Sequence, residues 1–139
     1  QQTMLRIKDP KITVPYYEDN FGLKLIHFYN FPQWSFSLYF LACLPADVKF
    51  DCIPGTPESE KFLWSSDNTC LELTHNHGSE TDANFCVNNG NVEPYRGFGH
   101  LAVMTPDVFS ACEELDKKGV RFQKRPDEGR MKGIAFALD

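Results

Sequence analysis

Two stretches of this chain begin with the same pattern. Residues 2–22 read QTMLRIKDPKITVPYYEDNFG, and residues 100–119 read HLAVMTPDVFSACEELDKKG. Each starts with a short run typical of a strand, continues with helical spacing and reaches a glycine, a common helix end. We expect the first helix to be capped by Thr13, with Pro15 in its first turn, and the second to be capped by Asp107. Each stretch therefore predicts a strand followed by a helix.

Further strands are predicted after each helix, so both copies follow the order β-α-β-β-β. The first copy has them at 23–28, 36–42 and 69–74, with a loop over 43–68. The second copy has its first strand at 100–104 and later ones at 120–123 and 133–138, but nothing equivalent to 69–74. The sequence therefore predicts an α+β fold of paired βαβββ modules within one domain, with a first module at 1–74, a linker at 75–98 and an incomplete second module at 99–139.

The ends of the chain fit this count. The missing strand is expected within about ten residues beyond Asp139, because hairpin connections are short. The sequence also lacks an initiator methionine. We therefore expect these residues to be a piece of a longer protein.

Composition excludes several classes of protein. With 139 residues, 42% of them hydrophobic, the chain can bury a core and is not expected to be disordered. It has no apolar run long enough to span a membrane, and a net charge of −5 without a basic cluster makes nucleic acid an unsuitable partner. Five widely spaced cysteines without a Cys-x-x-Cys pair predict reduced thiols in a cytoplasmic protein.

Three side chains are candidate metal ligands. Gln2 and His100 begin the equivalent first strands, and Glu72 is an isolated carboxylate in an apolar strand, where burial is costly unless it is paired or bound to a cation. Together with one further carboxylate they would form a mixed nitrogen and oxygen site suited to catalytic zinc or nickel. Periodicity alone favours the ordinary alternative, in which Glu72 faces solvent and His100 is structural.

Other residues also have two interpretations. His75 and His77 share one face of a strand, either as a ligand pair or as exposed side chains. The cationic candidates would either bind the carboxylates of an acidic small molecule or carry ordinary surface charge; they are Arg6, Arg96, Lys124 and Arg125. Met131 lies in a glycine-flanked loop that would suit a lid, and Phe31, Trp34 and Phe36 would line a pocket or the core.

Five segments of the sequence resemble the glyoxalase I (lactoylglutathione lyase) family of the vicinal oxygen chelate superfamily. They are QQTMLRIKDP (1–10), FSLYFL (36–41), LELTHN (71–76), RGFGH (96–100) and GRMKGIAF (129–136). They cover almost the whole chain, in order, and together they are far more specific than any single motif. The stretch EPYRGFGH (93–100) resembles fungal members, some of which carry two fused copies.

This resemblance implies a role for each candidate. It implies that Gln2, Glu72 and His100 are metal ligands, against the interpretation that periodicity favours. It also implies a glutathione site with a closing loop, formed by Arg6, Asn76, Arg96, Lys124 and Met131. The implied apolar substrate pocket consists of Phe31, Trp34, Phe36, Leu38 and Phe40.

The sequence departs from the family pattern in two ways. His77 stands where the family usually has tryptophan. The family also continues beyond the equivalent of Asp139 with Pro-Asp-Gly-Tyr-Trp-Ile-Glu, whose glutamate is the fourth ligand and principal base. The resemblance thus leaves Glu72 as the catalytic carboxylate within these residues. It also implies a site shared between modules, in a homodimer or in a chain with a second fused module.

The activity implied is isomerisation of the methylglyoxal–glutathione hemithioacetal to S-lactoylglutathione, with glutathione as co-substrate. The implied metal is zinc, with nickel as the other candidate. A non-catalytic binding or interaction protein of the same fold is the alternative, because the principal base lies outside these residues. A ring-cleaving dioxygenase is disfavoured, since its iron triad needs a histidine where Gln2 stands.

Overall fold

The computed structural model describes residues 1–139, which divide into two units, Gln1–Gly99 and His100–Asp139. The first unit contains β1 (Gln2–Ile7), α1 (Pro10–Phe21), β2 (Lys24–Phe31), β3 (Phe36–Ala42), α2 (Pro57–Ser65) and β4 (Cys70–Asn76). The second contains α3 (Val108–Lys117), β5 (Arg121–Lys124) and β6 (Phe136–Leu138). The predicted βαβββ order of the first module is confirmed, with one additional helix. No helix is long and apolar enough to cross a membrane.

The four strands of the first unit form one sheet in the order β1-β4-β3-β2. β1 runs parallel to β4, and the other two pairings are antiparallel. Residues in register point to the same side of a sheet. One side, which we call the α1 face, packs Leu41, Leu71 and Leu73 against Val14 and Tyr17 of α1. The other side, the open face, carries Glu72 in register with Met4 on one side and Phe40 on the other.

The N-cap of helix α1 lies four residues before the predicted one. Asp9 is its N-cap, with the carboxylate accepting a hydrogen bond from the Lys11 amide at 2.8 Å, and Pro10 occupies the first helical position. Proline is favoured there because its fixed φ suits the helix and its missing N–H needs no partner. The expected cap at Thr13 was therefore wrong, and Pro15 lies inside the helix. The helix ends as predicted at Gly22, whose φ of +66° suits glycine.

Helix α2 occupies part of the stretch predicted as a loop over 43–68. Thr56 and Ser59 form a reciprocal capping box, and Pro57 takes the first position. Leu63 packs with Phe40, Phe50 and other residues, so this helix covers one end of the open face. The loop prediction was wrong over these nine residues because a short amphipathic helix leaves a weak periodic signal.

The second unit confirms α3, capped by Asp107, and the antiparallel pair β5 and β6. The strand predicted over 100–104 does not form, and the strand predicted over 133–138 is confined to Phe136–Leu138. In the first unit β1 is paired with β4, the last strand of its module. Residues 1–139 contain no counterpart of β4 in the second module, so the segment 100–104 lacks the partner that would make it a strand.

A buried histidine connects β2 to α2. His27 is 3% exposed, and its Nδ1 lies 2.6 Å from the hydroxyl oxygen of the fully buried Ser59. The Ser59 hydroxyl also donates to the Thr56 carbonyl at 2.9 Å. Burial lowers the pKa of His27 from its ordinary value of 6.5, and the nearby Glu60 carboxylate opposes this shift. The neutral ring is therefore the form that the fold accommodates.

We predict that acid destabilises the fold in part through His27. The pKa of His27 is lower in the folded chain, so the unfolded chain binds the proton more readily. The contribution of neutral His27 to the free energy of unfolding is therefore complete above pH 6.5 and is lost as the pH falls below that value. The variant H27N keeps a polar partner for Ser59 but does not titrate. Urea unfolding at pH 7 and pH 5 should show a smaller loss of unfolding free energy in H27N than in the wild type. Equal losses in the two proteins would contradict this assignment.

Candidate functional site

Parallel pairing of β1 with β4 brings Gln2 beside Glu72 on the open face. The Gln2 carboxamide donates a short hydrogen bond to one carboxylate oxygen of Glu72. The Thr74 hydroxyl donates to the other oxygen at 3.2 Å. Glu72 is only 7% exposed and forms no salt bridge. The solvated position that periodicity favoured for Glu72 is therefore wrong.

A buried carboxylate with only neutral partners fits a cation ligand. Desolvating its charge is costly without an opposite charge, and two hydrogen bonds offset only part of that cost. The carboxylate and the Gln2 carboxamide both offer oxygen atoms, which suit divalent cations. Gln2 is exposed at the start of β1, whereas Glu72 is buried in β4 beside it. The first unit thus supplies two oxygen donors, fewer than a complete ligand set.

The third predicted ligand lies in the second unit. His100 is exposed, and its ring makes an edge-to-face contact with Phe136, with the centroids 6.0 Å apart. Lys124 and Met131 belong to the same unit. Lys124 donates to the carbonyls of Arg125 at 3.0 Å and Ile134 at 2.7 Å, which bridges the loop that carries the 61%-exposed Met131.

Two of the predicted glutathione-binding residues meet on the open face. Arg6 of β1 donates from Nη1 to the side-chain oxygen of Asn76 at 2.7 Å, at the end of β4. Neither Arg6 nor Asn76 is buried, and Arg6 forms no salt bridge. A guanidinium without a carboxylate partner can bind an anionic ligand group. Arg96, in contrast, pairs with Glu93 in the segment before the second unit.

An aromatic cluster lies at the β2–β3 side of the open face. Phe31 contacts Phe36 and Trp34, with ring centroids 4.9 Å and 5.5 Å apart, and Trp34 is 65% exposed. Leu38 and Phe40 continue the row along β3, and Phe40 is next to Glu72 in register. Four of the five residues predicted to form the apolar pocket therefore share one face with the Gln2–Glu72 pair, and Trp34 packs against two of them from the turn between β2 and β3.

The remaining candidates form contacts within the protein. His75 lies 2.8 Å from Glu80, and His77 lies 2.8 Å from the hydroxyl oxygen of Ser37, so both rings have partners. The pKa of the Glu80 carboxyl is lowered by its own backbone N–H and by His75. Arg125 forms a two-point ion pair with Asp116. No three acidic, histidine or cysteine side chains lie close enough to form a metal site, and the five cysteines are free thiols.

Thr74 and Tyr29 also lie on the open face but were not among the predicted site residues. Alternation along β4 already places Thr74 beside Glu72, and their hydrogen bond follows from it. The contacts of Tyr29 with Glu60 and Trp64 had no sequence signal, because they depend on α2, which was predicted as a loop.

The family model described as the Glyoxalase/Bleomycin resistance protein/Dioxygenase superfamily matches residues 1–139. The chain belongs to this family. It is 47% identical over 136 residues to glyoxalase I of Saccharomyces cerevisiae, covering 98% of this chain and 40% of that protein. It is 44% identical over 138 residues to a lactoylglutathione lyase of Pseudomonas putida, covering 99% of this chain and 76% of that protein.

Solved structures agree on the fold. The crystal structure of glyoxalase I from Zea mays superposes with a TM-score of 0.66 at 27% identity, over 99% of this chain and 40% of that one. The predicted resemblance to glyoxalase I and the predicted α+β fold of this superfamily are confirmed. The chain spans less than half of the yeast protein and about three quarters of the Pseudomonas one.

We predict that Glu72 makes the metal-free protein less stable than it would be with a neutral side chain. The variant E72Q keeps the shape and can still hydrogen-bond to Gln2 and Thr74, but it removes the buried charge. In chelator-treated full-length protein, E72Q should raise the unfolding free energy in urea by about 1 kcal/mol. The exposed control E113Q should leave it within about 0.5 kcal/mol of the wild type. A loss of stability in E72Q would show that the charge is compensated within the protein.

Proposed function

We propose that this protein acts as a metal-dependent lactoylglutathione lyase that converts the hemithioacetal of methylglyoxal and glutathione to S-lactoylglutathione. The observation that carries the proposal is the buried Glu72 carboxylate beside Gln2, without a cationic partner, on a face that also carries Arg6 and an aromatic cluster. The names of the yeast and Pseudomonas relatives support the same activity.

Gln2, Glu72 and His100 would hold the cation, together with a glutamate beyond Asp139. Zinc suits this mixed set, and nickel is the other candidate. When bound, the cation supplies Lewis-acid stabilisation of negative charge on the substrate oxygens. The protein then moves a proton from C1 of the hemithioacetal to the adjacent carbon by general base and general acid catalysis. Glu72 takes part in this transfer, and the glutamate beyond Asp139 has the larger role.

The open face would bind the rest of the substrate. The carboxylates of glutathione suit the guanidinium of Arg6, with Asn76 holding that side chain in place. The remaining glutathione contacts are assigned to Arg96 and Lys124, and the loop containing Met131 would close over them. The methyl group of the aldehyde would meet the apolar residues Phe31, Trp34, Phe36, Leu38 and Phe40.

The ligand set spans two modules, so the site is proposed to form in a homodimer or with a second fused module. Gln2 and Glu72 belong to the module proposed at 1–74, and His100 to the module at 99–139 that follows the linker at 75–98. The free thiols suit a reducing cytoplasmic compartment.

We predict that the zinc-loaded full-length protein forms a thioester from methylglyoxal and glutathione. Absorbance of the thioester at a fixed ultraviolet wavelength follows the reaction. The variant E72Q should lower kcat by at least about 100-fold, because it loses a ligand and a base together. The control E113Q changes the same side-chain chemistry on an exposed face of α3 and should retain full activity. An inactive wild type, or an active E72Q, would contradict the proposed function.

The sequence after Asp139 gives a second test. We predict a short turn and then a strand containing a glutamate, because β1 and the segment 100–104 need equivalent partners. Sequencing the complete transcript decides this. A stop codon directly after Asp139 would instead favour the alternative, a non-catalytic binding protein of the same fold.

A further inference from the structure

A chain of hydrogen bonds joins the open face to α2 and has no part in the proposed reaction. The Tyr29 hydroxyl donates to the Glu60 carboxylate at 2.6 Å, and the Trp64 indole N–H donates to the Tyr29 oxygen at 2.9 Å. Glu60 and Trp64 are four residues apart on α2, so they lie on one side of the helix. Both can therefore reach the same phenol.

Tyr29 lies at the edge of the aromatic cluster. On β2 it is two residues from Phe31, and its ring centroid is 5.8 Å from that of Phe31 and 6.0 Å from that of Phe40. The next residue along that face, His27, is buried beneath α2 through its contact with Ser59. The covered part of the open face therefore ends at Tyr29, and the accessible part begins there.

Trp64 stands at this boundary with 69% of its surface exposed. An exposed indole normally changes rotamer freely, but here the hydrogen bond to Tyr29 restricts it. Burial and the Glu60 carboxylate raise the pKa of Tyr29, and the hydrogen bond from Trp64 opposes this shift without reversing it. The hydrogen bond thus holds the indole nitrogen of Trp64 at the hydroxyl of Tyr29, whose ring contacts Phe31 and Phe40.

We propose that Trp64, positioned by Tyr29, limits the size of the aldehyde-derived group that the apolar pocket accepts. This inference rests on the proposed function and adds a specificity-determining residue to it. A side chain held at the edge of a pocket discriminates by bulk, since a group that overlaps the indole must break its hydrogen bond to displace it or bind elsewhere. Removing the indole should favour large groups over a methyl group, whereas a purely structural role would affect both equally.

The test compares two stable ligands that differ only in bulk, S-methylglutathione and S-benzylglutathione. Their dissociation constants are measured by calorimetry on the zinc-loaded full-length wild type and on W64A, Y29F and I12A. Ile12 is 70% exposed on α1, on the opposite side of the sheet, and I12A is the matched control. The relative kcat/KM for the phenylglyoxal and methylglyoxal hemithioacetals provides the same comparison in turnover.

We expect W64A to shift the affinity ratio toward the benzyl ligand by about fivefold to tenfold, and Y29F by about threefold in the same direction. I12A should leave the ratio unchanged. If W64A folds poorly in urea titrations, W64F replaces it. W64F should then shift the affinity ratio as much as Y29F does, because each variant loses the hydrogen bond between Trp64 and Tyr29.

Equal weakening of both ligands, or an unchanged affinity ratio in W64A and Y29F, would overturn this inference. The proposed function would remain intact in that case as long as the wild type is active. A shift in W64A without one in Y29F would overturn the positioning role of Tyr29. A wild type that neither binds the ligands nor forms thioester would overturn the proposed function, and this inference with it.

Discussion

Parallel pairing of β1 with β4 is the constraint on which the rest of this structure depends. The two strands lie far apart in sequence, and their register sets Gln2 near Glu72 and Arg6 near Asn76. One pairing thus assembles both the proposed oxygen donors and the proposed anion-binding contact of the open face. The need for a partner strand also explains why the segment 100–104 of the second unit does not form a strand. Residues 1–139 contain no equivalent of β4 for it to pair with.

The burial of Glu72 opposes stability and favours function. Neutral donors from Gln2 and Thr74 satisfy both carboxylate oxygens but do not neutralise the charge. A cation would supply the missing charge, so the site and the fold become linked: binding stabilises the protein as it completes the site. The sheet pre-organises the two proposed ligands, because neighbouring strands fix Gln2 and Glu72 side by side.

The sequence predicted the strands of the first unit, and period-two alternation placed Glu72 on the same side of its strand as Cys70 and Thr74. It could not predict whether that side is covered. Glu72 was assigned to solvent by periodicity, but α2 packs over one end of its face, and the loop predicted there concealed that helix. The resemblance to glyoxalase I implies instead that Glu72 is a metal ligand, which stays a prediction, and it gave no indication of the helix.

Competition between nearby residues for the N-cap position explains the wrong start predicted for α1. Asp9 and Pro10 form a better helix start than Thr13, because the aspartate caps and the proline needs no hydrogen bond. The contact between Trp64 and Tyr29 joins residues 35 positions apart through a helix that was not anticipated, so no local pattern could reveal it. Tertiary packing decided these features.

The central claim is that Glu72 is a ligand in a cation site formed by nitrogen and oxygen donors. Zinc X-ray absorption spectroscopy on the full-length protein, with E72Q alongside, tests it most directly. The account predicts only nitrogen and oxygen neighbours at about 2.0–2.2 Å in the wild type and loss of bound zinc or of one neighbour in E72Q. Cys70 shares this face of β4 with Glu72, so a sulfur neighbour at about 2.3 Å, or an unchanged spectrum in E72Q, would contradict the account.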